Sequence, residues 1–371
     1  MEIPWVIEEQ TKIKHEILQS YIETWATILF QQQKKMRLPQ QLTYFDGFCG
    51  PGKYWKDKDR KELVNGSPLI VGEIANKLIS IDNSRRFSIY CIDAKKEHCD
   101  YLKDKLEVMN RYRQTWEVEE GKFSDKANEF ILQLKERNIE STPIFFFVDP
   151  FGYKDIPIDI LHRLLKIEMA ELFINFMIYD IIRAASNSLM YSNLDELFGC
   201  DDYKNVERLS SAEERQIYLK NMYIQQLKER AKARFTSSFR VNTPSQGERH
   251  RYYLIHCANH PKALKEMKDA MYRVSDNEFG LEAINIQNDL LSFMDGCDFE
   301  ADIVSYLKIR VASITYMELE GWCYINTCGV SKNIKSTIML LEKKKIVSIT
   351  RLPRQRANTV NGEATIKLIE A

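Results

Sequence analysis

Residues 145–153 read FFFVDPFGY, and this stretch is the most informative about the fold. Four apolar residues lead directly into Asp149, Pro150 and Phe151, and Tyr153 follows after a glycine. A short apolar run bounded by turn residues is typical of a strand that is buried on both faces. Open parallel sheets bind ligands beyond the carboxyl ends of their strands. The acid and the aromatic residues after this strand therefore predict a ligand site.

Two earlier strands end on an acid in the same way. The segment LTYFD (42–46) ends on Asp46, and FSIYCID (87–93) ends on Asp93. Further apolar runs downstream, of which AELFINFMIYD (170–180) is the fifth predicted strand, alternate with helical patterns of ten to fifteen residues. This alternation indicates right-handed βαβ crossovers and a parallel sheet. We therefore predict an α/β fold built on a Rossmann-like sheet.

Changes in composition and in hydrophobic pattern along the sequence predict three regions. Residues 1–38 form an N-terminal helical extension, whose apolar residues recur at helical spacing. Residues 39–285 form the Rossmann-like domain, with a more polar helical insert at about 186–235. Residues 298–371 contain two predicted helices, with a short segment near 314–319 between them, before two strand-like pieces. This order predicts a winged-helix-like domain.

The loop after the first strand reads DGFCGPG and supplies five candidate cofactor-binding residues: Asp46, Gly47, Phe48, Gly50 and Gly52. Glycines let the backbone approach a ligand because no Cβ stands in the way. A plain tight turn would explain the same glycines, so the loop is weak evidence when taken alone.

Asp93 is the sixth candidate for cofactor binding. An acid at the end of the second strand can accept hydrogen bonds from ribose hydroxyls. A dinucleotide site places this acid about 20 residues after its glycines, and the glycines open a helix directly. Here Asp93 lies 47 residues after Asp46, and a polar segment of thirteen residues, 53–65, follows the glycine turn before a helix start at Ser67. This spacing favours S-adenosylmethionine (SAM), which carries an adenosyl group without a pyrophosphate. The alternative is that Asp93 only caps the next helix.

The loop at Asp149 suits methyl transfer to an exocyclic amine of a base. The Asp149 carboxylate and the carbonyl of Pro150 can hold the two amine hydrogens, while Phe151 or Tyr153 stacks on the base. Such stacking is worth about 1–3 kcal/mol per base. Orientation and electrostatics would supply most of the rate. In the alternative interpretation Asp149 caps a loop and both aromatic side chains belong to the core.

Charge is balanced over the whole chain but not locally. The charges of the 53 basic and 53 acidic residues cancel, yet the residues after 329 include nine Lys/Arg and only three Glu. The candidates for contact with nucleic-acid phosphates are Lys332, Lys335, Arg351, Arg354 and Arg356. A recognition helix with a basic wing would use them in this way. A solvated surface or a protein-docking module are the alternatives.

Cysteine usage and hydropathy predict a cytoplasmic protein with no membrane contact. The eight cysteines form no CxxC pair and are interpreted as reduced thiols. No apolar run approaches eighteen residues, and the first thirty residues do not resemble a signal peptide. His256, Cys257 and His260 lack a matching fourth ligand, so no metal site is predicted.

Several motifs together resemble the three-Cys-motif partner (TcmP) family, which is related to class I SAM-dependent methyltransferases. They are KHEILQSYIETW (14–25), YFDGFCGPGKY (44–54), NGSPLIVGEIA (65–75), FVDPFGYKDIPIDIL (147–161), INFMIYDIIR (174–183) and HPKALKEMKDAMY (260–272). The resemblance implies a Rossmann-like methyltransferase fold and a partner protein that carries the three-cysteine motif. It also implies that Asn175, Asp180 and Arg183 border the cleft. The DPFG loop resembles that of tRNA guanine-N2 methyltransferases and departs from the DPPY loop of adenine-N6 enzymes at Phe151.

Two hypotheses follow for function. The first is a SAM-dependent methyltransferase that acts on a nucleic-acid base, in RNA or DNA, at an exocyclic amine. The second is a non-catalytic DNA- or protein-binding partner of a three-Cys-motif, radical-SAM-like protein. A glycine turn with a ribose acid also leaves open a nucleotide-binding enzyme outside methyl transfer.

Overall fold

The computed structural model describes residues 3–108, 114–137, 141–241, 252–274, 299–310, 312–327, 329–353, 356 and 359–369. The strands are β1 (Gln41–Asp46), β2 (Lys53–Trp55), β3 (Leu63–Asn65), β4 (Arg86–Asp93), β5 (Thr115–Glu120), β6 (Ile144–Val148), β7 (Ala170–Phe176), β8 (Phe235–Val241), β9 (Tyr252–Ala258), β10 (Ile314–Thr315), β11 (Val347–Thr350) and β12 (Thr365–Leu368). The helices are α1 (Glu9–Lys35), α2 (Ser67–Ile81), α3 (Lys96–Val108), α4 (Phe123–Glu136), α5 (Ile158–Leu165), α6 (Ile178–Ala185), α7 (Tyr191–Phe198), α8 (Ala212–Glu229), α9 (Pro261–Val274), α10 (Phe299–Ile309), α11 (Tyr316–Asn326) and α12 (Ser331–Lys343).

The largest sheet of the described residues is mixed but mostly parallel. Its seven strands lie in the order β5-β4-β1-β6-β7-β9-β8. The strands from β5 to β7 pair in parallel, whereas β9 runs antiparallel between β7 and β8. The strand order reverses between β1 and β6, which is the switch point where such sheets bind ligands. Asp46 and Asp93 therefore end two neighbouring strands, and Asp149 follows a third, at one edge of the sheet.

Apolar side chains cover both faces of this sheet, as the continuous apolar run in β6 predicts. Phe146 and Val148 point into a core shared with α4, α5 and the helices α6 to α8. Phe145 and Phe147 point to the opposite face, where α1, α2 and α9 pack. Helix α1, from the region predicted as an extension, is therefore one of the helices that bury the sheet.

A buried polar cluster fastens α1 to the sheet. Tyr21 and Trp25 of α1 donate hydrogen bonds to the carboxylate of Glu171 on β7, and the Trp25 bond measures 3.0 Å. Nε2 of His256 on β9 lies 2.9 Å from the same carboxylate. A largely buried carboxylate that is hydrogen-bonded in this way fixes its donors in position, because leaving any of them unpaired would cost free energy. The cluster thus sets the position of α1 over the sheet.

Three local features differ from the sequence prediction. The polar segment 53–65 contains the hairpin β2–β3. The fifth predicted strand, 170–180, ends at Phe176, and α6 begins at Ile178 because its buried residues recur at helical spacing. The short segment predicted at 314–319 is the strand β10 and the start of α11. A capping box between Thr315 and Glu318 marks that start.

The C-terminal residues form a separate small core. Helices α10, α11 and α12 pack against an antiparallel sheet in the order β10-β12-β11. Lys268 of α9 donates hydrogen bonds to the carbonyl oxygens of Tyr324 (3.0 Å) and Thr327 (2.6 Å) at the end of α11. This contact joins the C-terminal region to the helix layer of the main sheet.

Candidate active site

The glycine loop after β1 takes a backbone path that favours glycine at two positions. Gly50 has φ +57° and Gly52 has φ +72°, both in the left-handed region. A Cβ on Gly52 would lie 2.6 Å from Leu102. The Gly52 carbonyl accepts a hydrogen bond from the Gly66 backbone N–H at 2.8 Å, which closes the loop onto the start of α2. These contacts are internal to the fold, as the tight-turn alternative predicts, and the approach of this backbone to a ligand stays a prediction.

Asp93 holds this loop against the end of β4. Its carboxylate accepts hydrogen bonds from the backbone N–H of Gly50 (3.0 Å) and of Lys95 (2.8 Å), and from Nδ1 of His98 (3.0 Å). A carboxylate has about four acceptor positions, so these three donors leave one unfilled. Asp93 does bond to the start of the next helix, as the capping alternative predicts, but it also contacts the glycine loop.

Asp46 lies beneath the loop and is fully buried. It accepts hydrogen bonds from the Ser67 hydroxyl (2.7 Å), the Tyr44 hydroxyl (3.0 Å) and the backbone N–H of Phe48 (3.3 Å). Burial raises the pKa of Asp46 to about 7, although these donors act in the opposite direction. The N-cap of α2 is Gly66, and the Ser67 side chain bonds to Asp46.

The other two loop candidates pack against α4. The backbone N–H of Gly47 donates to the carbonyl of Phe147 at 2.9 Å, and a Cβ on Gly47 would come within 2.5 Å of the Phe123 ring. The ring of Phe48 stacks on Phe123 with 5.4 Å between centroids. These contacts fix the direction in which the loop leaves β1.

Asp149 forms an ion pair that the sequence did not suggest. The ammonium group of Lys14 on α1 bonds to one carboxylate oxygen, and Nδ2 of Asn175 at the end of β7 donates to the other at 2.7 Å. Lys14 is buried, whereas the Asp149 side chain is 18% exposed. The carboxylate is therefore held by two donors and still reaches the surface of the site. A lysine beside the apolar stripe of α1 was the only signal in the sequence.

The three residues after Asp149 have different surroundings. The Pro150 carbonyl accepts a hydrogen bond from the backbone N–H of Gly152 at 3.1 Å. The Phe151 side chain is 77% exposed, whereas Tyr153 is buried in the core beside the sheet. Of the two aromatic candidates, only Phe151 presents an open ring face to a ligand.

Side chains from the N-terminal region lie between the two loops. The indole of Trp5 contacts the rings of both Phe151 and His98, and its Cη2 would lie 3.8 Å from a Cβ on Gly50. Gly50, Asp93 and the loop at Asp149 therefore face one common region. His15 is also buried here, and burial together with the Lys14 charge lowers its pKa to about 3. Its imidazole is neutral at neutral pH.

The predicted phosphate contacts lie in the C-terminal region and are not equivalent. Lys332 and Lys335 line a cleft of about 390 Å³ with Thr359 and Asn361. Arg351 instead bonds to the Glu342 carboxylate through both terminal nitrogens, at 2.7 and 2.6 Å. Its charge is thus largely compensated. Arg356 is exposed, and Arg354 lies outside the described residues.

Two of the residues that the family resemblance places near the cleft pair with each other. Arg183 and Asp180 form an ion pair within α6.

Within the described ranges, no group of three or more His, Cys, Asp and Glu side chains could hold a metal ion. No helix in the described part of the chain is both long and apolar enough to cross a membrane.

Comparisons with known proteins give only distant structural likeness. No family model matches the chain, and no curated protein matches it. Protein LPL1258 from Legionella pneumophila is 12% identical, with a TM-score of 0.42 over 70% of this chain and 91% of that one. A SAM-dependent methyltransferase from Agrobacterium tumefaciens is 11% identical, with a TM-score of 0.33 over 68% of this chain and 64% of that one. PKMT2 from Rickettsia typhi, solved with AdoHcy, is 11% identical, with a TM-score of 0.30 over 92% and 74%. The case for the site therefore rests on its own geometry.

Proposed function

We propose that this chain is a SAM-dependent methyltransferase that acts on an exocyclic amine of a nucleic-acid base. The observation that carries the proposal is the convergence of Gly50, Asp93 and Asp149 at the ends of three neighbouring strands. A left-handed glycine turn tied to an acid suits an adenosyl group, because the backbone can approach it and one carboxylate position stays open for a ribose hydroxyl. The family resemblance of the motifs supports the same reading.

The residues of the chain would position the acceptor. When bound, SAM supplies an electrophilic methyl group, and the amine nitrogen displaces the sulfur, which keeps the bonding electron pair. Asp149 accepts a hydrogen bond from the amine and later its proton, while Lys14 and Asn175 hold the carboxylate in place. Phe151 stacks on the base. Orientation of this kind can supply much of the rate without a strong base.

The C-terminal region would hold the nucleic-acid backbone. We infer a winged-helix-like module whose α12 presents Lys332 and Lys335 to phosphates, with exposed Arg356 as a third contact. Arg351 is a weaker candidate because Glu342 already neutralises it. Phosphate contacts predict binding that weakens steeply with salt.

A regulatory role is the second candidate. In that case the C-terminal module binds DNA or a three-Cys-motif partner, and the buried network at Asp149 only stabilises the fold. Only a test for catalysis separates the two functions.

The described cysteines are free thiols, and most are buried, which fits the proposed cytoplasmic location.

Transfer of a labelled methyl group tests the proposal directly. Purified protein is incubated with methyl-labelled SAM and with pools of RNA, single-stranded DNA and unrelated protein. We expect label in nucleic acid, and nucleoside analysis should locate it on an exocyclic amine. Excess AdoHcy should suppress the signal because it occupies the same site. Label in protein alone, or no label in any pool, would contradict the proposed function.

A further inference from the structure

The N-terminal segment before α1 is fixed over the candidate site by backbone pairing. The Ile7 N–H donates to the carbonyl of Trp55 at 2.8 Å, and the Trp55 N–H donates to the carbonyl of Trp5 at 2.9 Å. Trp55 ends β2, the first strand of the hairpin that follows the glycine loop. The segment is therefore attached to the glycine-loop side of the site, and the Trp5 side chain extends from it.

The Trp5 ring lies between Asp93 and the loop at Asp149. Its ring centroid lies 5.4 Å from that of His98, which pairs with Asp93, and 5.9 Å from that of Phe151 in the loop at Asp149. Tyr54 supports the indole edge-on at 5.7 Å. Aromatic rings in such tilted and edge-to-face arrangements are held in place by their neighbours. Trp5 is thus oriented by at least three rings.

The rings of Phe151 and Trp5 are not enclosed by the fold. Phe151 is 77% exposed, and Trp5 is partly exposed. They meet at an interplanar angle of 71°, so they form a step rather than a closed stack. Asp149 lies two residues before Phe151, and its side chain is 18% exposed. A flat group bearing an amine would find an aromatic surface and an acceptor together.

We propose that Trp5 and Phe151 form a stacking platform for one unpaired nucleobase, so that the acceptor is a single-stranded or extruded base. This inference rests on the proposed methyltransferase function and adds a contact from outside the sheet. A base within a duplex has both faces covered by its neighbours and cannot occupy such a step. The platform therefore selects for unpaired bases, whereas the C-terminal lysines do not distinguish them.

Oligonucleotide binding by Trp5 variants tests the platform. Anisotropy of a labelled single strand of mixed sequence, as RNA and as DNA, is measured with AdoHcy present at about 0.3 M salt, where phosphate contacts are weakened. Trp5→Ala should bind about 5- to 150-fold more weakly, the range that base stacking implies. Trp5→Phe should recover most of the affinity, and wild type should prefer the single strand to a duplex of the same sequence. Val6→Ala, in the same segment, should bind like wild type.

The outcomes separate this inference from the proposed function. Unchanged oligonucleotide binding by Trp5→Ala, or equal binding of single strand and duplex by wild type, would overturn the platform. The platform would also be overturned if Trp5→Ala weakened SAM binding as much as, or instead of, oligonucleotide binding. Trp5 would then line or cover the cofactor site. Wild type that binds neither SAM nor any oligonucleotide would defeat both proposals. Circular dichroism of each variant establishes that it is folded.

Discussion

Replacing Asp149 by asparagine is expected to lower the turnover of methyl transfer by about 100- to 1,000-fold, the usual cost of removing one preorganised electrostatic contact from an active site. The asparagine keeps the size of the side chain but loses the charge, and its amide group cannot accept a proton. Lys14 and Asn175 would still be present to orient it. The KM for SAM should change little, because the proposed cofactor contacts are Gly50 and Asp93, not Asp149.

Two further variants show whether the loss is catalytic. Asp155→Asn changes an exposed aspartate in the same loop, and its φ of +65° is one that asparagine tolerates. It should keep wild-type turnover. The double variant Lys14→Met/Asp149→Asn removes both partners of the buried pair, so it should recover stability lost in Asp149→Asn without recovering turnover. Asp149→Asn with turnover close to wild type would show that this carboxylate does not serve the reaction.

Asp46 should make the stability of the protein depend on pH in an unusual direction. Its pKa is raised from 3.8 to about 7, mainly by burial. The folded state therefore binds a proton that the unfolded state has released between those pH values. The corresponding stability is fully present below about pH 4 and is lost as the pH rises through about 7. Over roughly three pH units the loss is on the order of 4 kcal/mol.

The comparison with Asp46→Asn isolates this contribution, because the amide does not ionise. Denaturant unfolding from about pH 4 to pH 8 should show the wild-type free energy falling relative to the variant by that amount. Ser67→Ala removes a donor that stabilises the charged form and should raise the pKa of Asp46 further, so the fall should be larger and should extend to higher pH. If the free energies of unfolding of wild type and Asp46→Asn changed with pH in parallel, the pKa of Asp46 would be the same in the folded and unfolded states.

The sequence predicts the features of this fold that depend on local pattern. The apolar run at 145–148 predicts a strand buried on both faces, and its end at Asp149 follows from the change in residue type. The ends of β1 and β4 at Asp46 and Asp93 are predicted for the same reason. Because parallel strands present their carboxyl ends at one edge, the convergence of the three acids could be anticipated.

The parts that were not predicted depend on contacts between distant segments. The partner of Asp149 is Lys14, 135 residues away, and no periodicity indicates that pairing. Trp5 lies in a short segment that has no helical or strand pattern of its own. Arg351 looks like a free basic residue until the structure shows its contact with Glu342. In each case the sequence gives the residue type but not the neighbour that determines its role.

Titration calorimetry of SAM binding tests the central claim most directly. If Gly50 and Asp93 hold the cofactor, wild type should bind one SAM per chain. Asp93→Ala should bind about 10- to 100-fold more weakly, as the loss of a hydrogen bond to a charged group implies. Glu168→Gln, an exposed site at the opposite end of the sheet near the start of β7, should bind like wild type. No binding by wild type, or equal affinity in wild type and Asp93→Ala, would contradict the claim.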